Sequence, residues 1–283
     1  MRVQGTAGSP PSTVTGPEYT TGSDTARLTS AGPGQTVTPR GRAEPFDTLA
    51  EVLAIGAILV DFDGTACTAD VSEVLLEKFG DPGWPLYDEL VDRGEMGLRE
   101  AARHQSAMLT GTRDEMLAFA VDRCLLDPTF WGFVAWAEAR TVPLTLVSDG
   151  FAFYIGPILE AAGLGRLEVV TNEMVFDGDR PRIRHPNGHP ECVGCGTCKM
   201  LVALRARERH GPVAFVGEGQ SDRYGALYSD IVFAKKDLVR ICRADGVPFV
   251  AWDTFDDVRH ALETMDAIPG PVAPQRCPGW RMP

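Results

Sequence analysis

Four short apolar runs punctuate the chain: AILV at 57–60, PLTLV at 143–147, VAFV at 213–216 and IVFA at 231–234, each followed by a polar or turn-forming residue. Runs of this length, rich in β-branched residues and without polar alternation, read as strands covered on both faces. The stretches between them space their apolar residues by three and four, which predicts helices. Strands alternating with helices build the α/β class around a parallel sheet. VPFVAW at 247–252 is expected to add an edge strand.

Between the first and second runs the helical pattern is unusually long: VSEVLLEKFG, WPLYDELVDRG, LREAARHQSAML, RDEMLAFAVDRCL and FWGFVAWAEAR. One crossover between parallel strands needs a single helix. The first four segments are therefore expected to form an inserted helical cap over residues 68–127, leaving 46–67 and 128–268 as the core. A second irregular stretch, TNEMVFDGDRPRIRHPNGHPECVGCGTCK, carries a hairpin-like FDGDRP turn and then a loop dense in His and Cys. The chain has no internal repeat.

Composition sharpens this outline. Residues 1–45 are rich in Thr, Ser, Gly and Pro and hold almost no large apolar side chains, so a disordered arm is expected there, with a short tail at 269–283. The whole chain of 283 residues is 44% hydrophobic, ample for a core. Its formal net charge of -12 argues against a generic nucleic-acid or anionic-membrane surface, which would need an excess of Lys and Arg. A small-molecule partner is expected instead, and the oligomeric state is not legible. No run reaches the roughly 18 to 20 apolar residues of a membrane span, and the first residues lack the apolar core of a signal peptide, so a cytoplasmic location is expected. Seven cysteines, an odd number, fit free thiols or a metal cluster in a reducing compartment better than a disulfide framework.

In open parallel sheets, ligands bind beyond the carboxyl ends of the strands. Three strands here run out into polar groups at that end: Asp61 and Asp63, then Ser148 and Asp149, then Glu218 and Asp222, with Lys199 opening an intervening helix. One such ending is ordinary, whereas three together suggest a shared site. Asp61 is the candidate nucleophile for a phosphoryl group. Asp63, two residues on and on the same side of an extended chain, is the candidate acid and base. Carboxylates repel an incoming phosphate unless a hard cation intervenes, so Mg²⁺ is expected on Asp61, the Asp63 carbonyl and Glu218, with Asp222 beside them. Ser148 and Lys199 are expected to hold the phosphoryl oxygens.

DFDGT, LVSDG, Lys199 and GEGQSD resemble, in order, the four motifs of the haloacid dehalogenase (HAD) superfamily over residues 57–265. The resemblance implies a Rossmannoid parallel sheet with a C1-type helical cap, as in subfamily IB, and a second-position Asp63 that favours phosphatases. Within that subfamily, DFDGTACTAD, LREA, LVSDGFAFYIGPILE, CVGCGTCK and IVFAKKDLVRICRADGVPFVAWDTF are similar to the methionine-salvage branch, which acts on 2-hydroxy-3-keto-5-methylthiopentenyl-1-phosphate. This implies a cap closing on a small phosphorylated metabolite. Asp70 and Arg99 are then substrate contacts, with Asp149 and Gly150 beside the phosphate. Read as residues alone, Asp70 is equally a helix N-cap and Arg99 a solvated helix face.

The chain departs from this branch twice: Glu218 replaces the usual Asp, and Ser-Asp-Gly replaces Ser-Gly-Gly at 148–150. The alternatives are a phosphatase for phosphoserine or another small phosphate, or a weakly active HAD-like binding or regulatory protein. In the Cys-rich loop, His185, His189, Cys192, Cys195 and Cys198 have ligand spacing for a structural Zn²⁺, the other reading being a turn that leads to Lys199. Arg180, Arg182 and Arg184 alternate as on a solvated hairpin face. Cys67, Cys124, Cys242 and Cys277 read as ordinary core or loop residues.

Overall fold

The computed structural model describes residues 55–178, 180–272 and 277. The expected arm at 1–45, and most of the expected tail, lie outside the described residues. Seven strands form one sheet in the order β4-β3-β2-β1-β5-β6-β7. They are β1 (Ala57–Val60), β2 (Leu144–Phe151), β3 (Glu168–Asp177), β4 (Arg180–Arg184), β5 (Val213–Gly217), β6 (Ile231–Ala234) and β7 (Val250–Ala251). All neighbours are parallel except β3 and β4. In register, Ile58 lies opposite Leu144 on one side and Ala214 on the other.

The central strands are buried along their whole length in β1, β5 and β6, as their uninterrupted apolar runs require. Side chains still alternate. Ile58 and Val60 join one core cluster, and Ala57 and Leu59 the other. Five helices lie between β1 and β2: α1 (Val71–Phe79), α2 (Pro85–Asp92), α3 (Leu98–Ala107), α4 (Arg113–Arg123) and α5 (Phe130–Ala139). After β2 come α6 (Ala152–Ala161), α7 (Lys199–His210), α8 (Arg223–Leu227), α9 (Lys236–Asp245) and α10 (Phe255–Thr264). The first cluster takes its aromatic mass from α5, α6 and α10 through Phe130, Phe133, Tyr154 and Phe255. The second takes Ala203, Ala226, Leu238 and Ile241 from α7, α8 and α9. The sheet is thus covered on both faces.

Local signals set the helix starts. Asp70 accepts a hydrogen bond from the Glu73 amide at 2.9 Å at the head of α1, and Thr112 and Glu115 close a reciprocal capping box on α4. Each such cap is worth about 1 kcal/mol. The expected FDGDRP hairpin is the β3–β4 turn, with Gly178 at a φ of 64°.

Two elements differ from the apolar pattern. β2 continues through Ser148, Asp149 and Gly150 to Phe151, with a register shift against β3 between Val147 and Phe151. The backbone pairing with β3 supplies what side-chain polarity conceals. β3 itself runs for ten residues where the sequence reads as irregular.

What positions the site is the strand order. It reverses at β1, with β2 to β4 on one side and β5 to β7 on the other. Chain connections that leave in opposite directions open a crevice at the carboxyl ends.

Candidate active site

β1 delivers Asp61 in extended conformation, and a tight turn over Phe62–Ala66 follows, with Asp63 extended and Gly64 at a φ of 69°. Both carboxylates line one cavity. Their surroundings then diverge.

Asp61 faces the sheet's far half. Its Oδ1 accepts from Lys199 Nζ at 2.6 Å, and the same ammonium group donates to Asp222 Oδ1 at 2.6 Å and Ser221 Oγ at 3.2 Å. Lys199 and Asp222 are buried. Burial alone would lower the lysine's pKa, but Asp222 and Asp61 outweigh it and keep the lysine charged. Burial and then the charge of Asp222 push Asp61 up to about 7, against the pull of Lys199. Asp222 uses its other oxygen to accept from the amides of Glu218 and Gly219 at 2.8 and 3.0 Å, which shapes the loop after β5.

Asp63 faces the helical insertion. Its Oδ1 accepts from the Val71 amide at 3.0 Å, at the start of α1, and its Oδ2 from Ser148 Oγ at 2.9 Å. The Tyr154 hydroxyl lies 3.3 Å from Oδ2 and 3.0 Å from Ser72 Oγ. Burial, followed by the charges of Asp70 and Asp61, holds the Asp63 carboxyl well above the usual range. That direction suits a carboxyl that gives up a proton in a reaction and takes one back. Ser148 is engaged on both sides, donating to Asp63 and accepting from the Gly150 amide at 2.8 Å. Gly150 admits no side chain, because a Cβ there would overlap the Tyr154 hydroxyl and Asp63 Oδ2.

These groups open on a cavity of about 340 Å³ reaching toward α1, α2 and α3. Asp61, Asp63, Asp70, Ser148, Asp149, Gly150, Glu218 and Asp222 all line it. Beyond the acids, Leu75, Leu76, Leu98, Ala101, Leu109 and Met174 make an apolar wall, interrupted by Glu73, Asp88 and Gln105. Asp70 lines this cavity and also caps α1.

Arg99 is placed differently: it is not among the cavity-lining residues. Its Nε donates to the Cys195 carbonyl at 3.0 Å and its amide to the Gly194 carbonyl at 3.2 Å, fastening α3 to the Cys-rich loop. Asp149 also ties that loop down, accepting from the Thr197 amide at 2.6 Å through Oδ1, while Oδ2 is buried without a hydrogen-bond partner. Arg182 and Arg184 are exposed, and Arg182 pairs with Asp177 at 3.3 Å.

The residue match decides the family: the haloacid dehalogenase-like hydrolase model matches residues 58–226, more than half of the chain. The chain belongs to the haloacid dehalogenase-like hydrolase family. Among its relatives, the 2-hydroxy-3-keto-5-methylthiopentenyl-1-phosphate phosphatase of Geobacillus kaustophilus is 29% identical over 215 residues, covering 75% of this chain and 97% of that one. The bifunctional enzyme MtnB/MtnX of Bacillus licheniformis is 28% identical over 212 residues, and the match spans 49% of its length and 73% of this chain. A phosphoserine phosphatase solved as a phospho-aspartyl intermediate analogue superposes with a TM-score of 0.58 at 15% identity, covering 74% of this chain and 98% of its own. A haloacid dehalogenase family hydrolase from Salmonella enterica superposes with a TM-score of 0.59 at 17% identity, covering 76% of this chain and 73% of that one. The expected family and α/β fold are both met.

Family membership raises the question of metal. Among the described residues, no group of three or more His, Cys, Asp or Glu side chains is gathered as a metal site. Zinc therefore finds no support, and the loop's own hydrogen bonds give the reason. His189 Nδ1 accepts from the Glu191 amide at 3.1 Å and Cys192 Sγ from the Gly194 amide at 3.3 Å. Burial, then Asp149, also pushes the Cys195 thiol up. Asp61, Glu218 and Asp222 are not gathered as a metal site either, but they line one cavity and their carboxylate oxygens are the hard donors that suit Mg²⁺. Ammonium groups now counter those charges, Lys199 at Asp61 and Asp222, and Lys236 at Glu218.

Tyr154, Ser72 and Lys236 are the site residues that sequence reading missed. A tyrosine in the apolar stretch FAFYIG reads as core, and a lysine in KK reads as solvated. Only the spacing of Tyr154, six residues after Ser148, was there to find.

Proposed function

We propose that this hydrolase is a Mg²⁺-dependent phosphatase of small phosphorylated metabolites. The observation that carries the reading is the divergence of the two carboxylates: Asp61 paired with a buried lysine, and Asp63 hydrogen-bonded to Ser148 and the Val71 amide, both lining one cavity. An Asp61 oxygen attacks phosphorus, the bond from phosphorus to the leaving oxygen breaks, and Asp63 gives its proton to that oxygen. Asp63, now a carboxylate, takes a proton from water, whose oxygen attacks the aspartyl-phosphate and frees Asp61 and inorganic phosphate. Lys199 neutralises charge at the nucleophile throughout, and Tyr154 and the Val71 amide orient Asp63. Asp61, Glu218, Asp222 and the Asp63 carbonyl would hold Mg²⁺, which supplies charge neutralisation for a phosphate entering among carboxylates.

Helices α1 to α4, over residues 68–127, serve as the cap and read the rest of the substrate. The relatives' names and the apolar wall favour 2-hydroxy-3-keto-5-methylthiopentenyl-1-phosphate, a phosphate with hydroxyl and keto groups near the reacting end and an apolar tail. Asp70 accepts from substrate hydroxyls. One observation favours a second reading: Asp70, Glu73 and Asp88 put three carboxylates along the cavity, which suits an amine-bearing phosphate such as phosphoserine.

A p-nitrophenyl phosphate assay with and without chelator tests the class, since hydrolysis must vanish on chelation and return with Mg²⁺. A substrate panel tests the rest. Keto and enol phosphates should show higher kcat/KM than phosphoserine, and Asp70→Ala should narrow that gap while leaving p-nitrophenyl phosphate hydrolysis little changed. A clear preference for phosphoserine would select the second reading.

A further inference from the structure

The start of α9 carries an arrangement that local physics disfavours twice. Lys236, its first residue, has a φ of 46°, a left-handed conformation that side-chain-bearing residues avoid; among the described residues only Thr141 shares it outside glycine. Lys236 also sets a cation at a helix N-terminus, where the partial charge of the free amides is positive. Its neighbour Lys235 turns away, placing Nζ 3.9 Å from the centre of the Trp252 ring. The Lys236 ammonium group instead forms an ion pair with Glu218 Oε2 and lies 3.5 Å from the Gly64 carbonyl oxygen. The two partners are held in register by the backbone, since the Leu238 amide donates to the Glu218 carbonyl at 2.7 Å. Glu218 reaches across the nucleophile turn, so close that a Cβ on Gly64 would overlap its carboxylate. The lysine side chain is 58% exposed and the glutamate 18%, so the lysine is the partner free to swing away.

We propose that Lys236 is a built-in competitor of the divalent cation at Glu218. Its ammonium group holds the carboxylate until the metal arrives, and metal binding requires that pair to open. The proposal rests on the reading of Glu218 as a metal ligand. A fixed positive charge beside the site lowers cation affinity by direct repulsion and by occupying a donor oxygen. Because the pair is partly solvated, the penalty is moderate.

The test is a titration of the metal-free, full-length protein with Mn²⁺, following free Mn²⁺ by electron paramagnetic resonance, with Mg²⁺ calorimetry alongside. Wild type is compared with Lys236→Met, Lys236→Gly and Glu218→Gln. Both Lys236 variants should bind Mn²⁺ about three- to tenfold more tightly, and Glu218→Gln more weakly. Because Lys236→Gly also relieves the backbone, an equal gain in the methionine variant assigns the effect to charge. Unchanged or weaker affinity in both Lys236 variants, with Glu218→Gln weakened, overturns the competition and leaves Glu218 as a ligand. Unchanged affinity in Glu218→Gln overturns the ligand reading and the proposal with it. Thermal unfolding confirms that each variant is folded before titration.

Discussion

Asp61 and Asp63 share a formula and differ in the neighbours that act on their charge. Lys199 pulls against the burial of Asp61, while no cation opposes the burial of Asp63, which instead meets the charges of Asp70 and Asp61. Asp61→Asn should lower kcat at least about a thousandfold with the thermal midpoint little changed, because an amide of equal size cannot attack phosphorus. Wild-type-like turnover of that protein in the p-nitrophenyl phosphate assay would end the proposed mechanism. Lys199→Met leaves Asp61 and Asp222 buried without their shared cation. Removing one partner of such a network costs about 3 kcal/mol or more, readable by urea unfolding. Both residues are legible in the sequence, one ending an apolar run and the other opening a helix. Tyr154 is not, because the contact that matters joins its hydroxyl to a residue 91 positions away.

At the scale of elements, the site depends on how the end of β2 is tied to the stretch between β3 and α7. Asn172 on β3 donates to the Asp149 carbonyl at 2.7 Å, and its Oδ1 lies 2.9 Å from His185 Nδ1. Burial, with Arg99 nearby, pushes the His185 pKa down from 6.5 to about 4. The ring is neutral in the fold and takes up a proton more readily when unfolded, so its contribution is complete above about pH 6.5 and is lost as pH falls toward 4. Discounted for its half-exposed position, the full contribution is about 1 to 2 kcal/mol. The stability margin of wild type over His185→Asn, from urea unfolding, should therefore shrink by about 1 kcal/mol between pH 7.5 and 5. A margin independent of pH would show that the ring is not held neutral. The polar end of β2 and the length of β3 were hidden from the sequence for one reason: their strand character comes from backbone pairing between them rather than from side-chain pattern.

In the whole molecule, the reversal of strand order at β1 brings together residues from 61 to 222, and residues of α1, α2 and α3 line the cavity with them. Closure of a cap on a phosphorylated enzyme would slow amide exchange in those helices and leave the central sheet unchanged. With beryllofluoride and Mg²⁺ as a phosphoryl mimic, α1 and α3 should gain protection, whereas β1 and β5 should not. Equal protection throughout would indicate global stabilisation, and no gain in α1 or α3 would leave them as a static wall.

The sequence by itself determined the alternation of strands and helices, the acidic strand ends, the lysine at the head of α7 and the family. These are carried by hydrophobic periodicity and by residue types close together in the chain. Tertiary structure decided which polar groups meet. It turned Arg99 to the Cys-rich loop, joined Tyr154 to Asp63, spent the loop's His189 and Cys192 on its own turns and set Lys236 against Glu218. The physical reason is that burial is encoded by pattern, whereas a hydrogen bond or ion pair between distant residues depends on distances of a few tenths of an ångström, which only the packed fold sets.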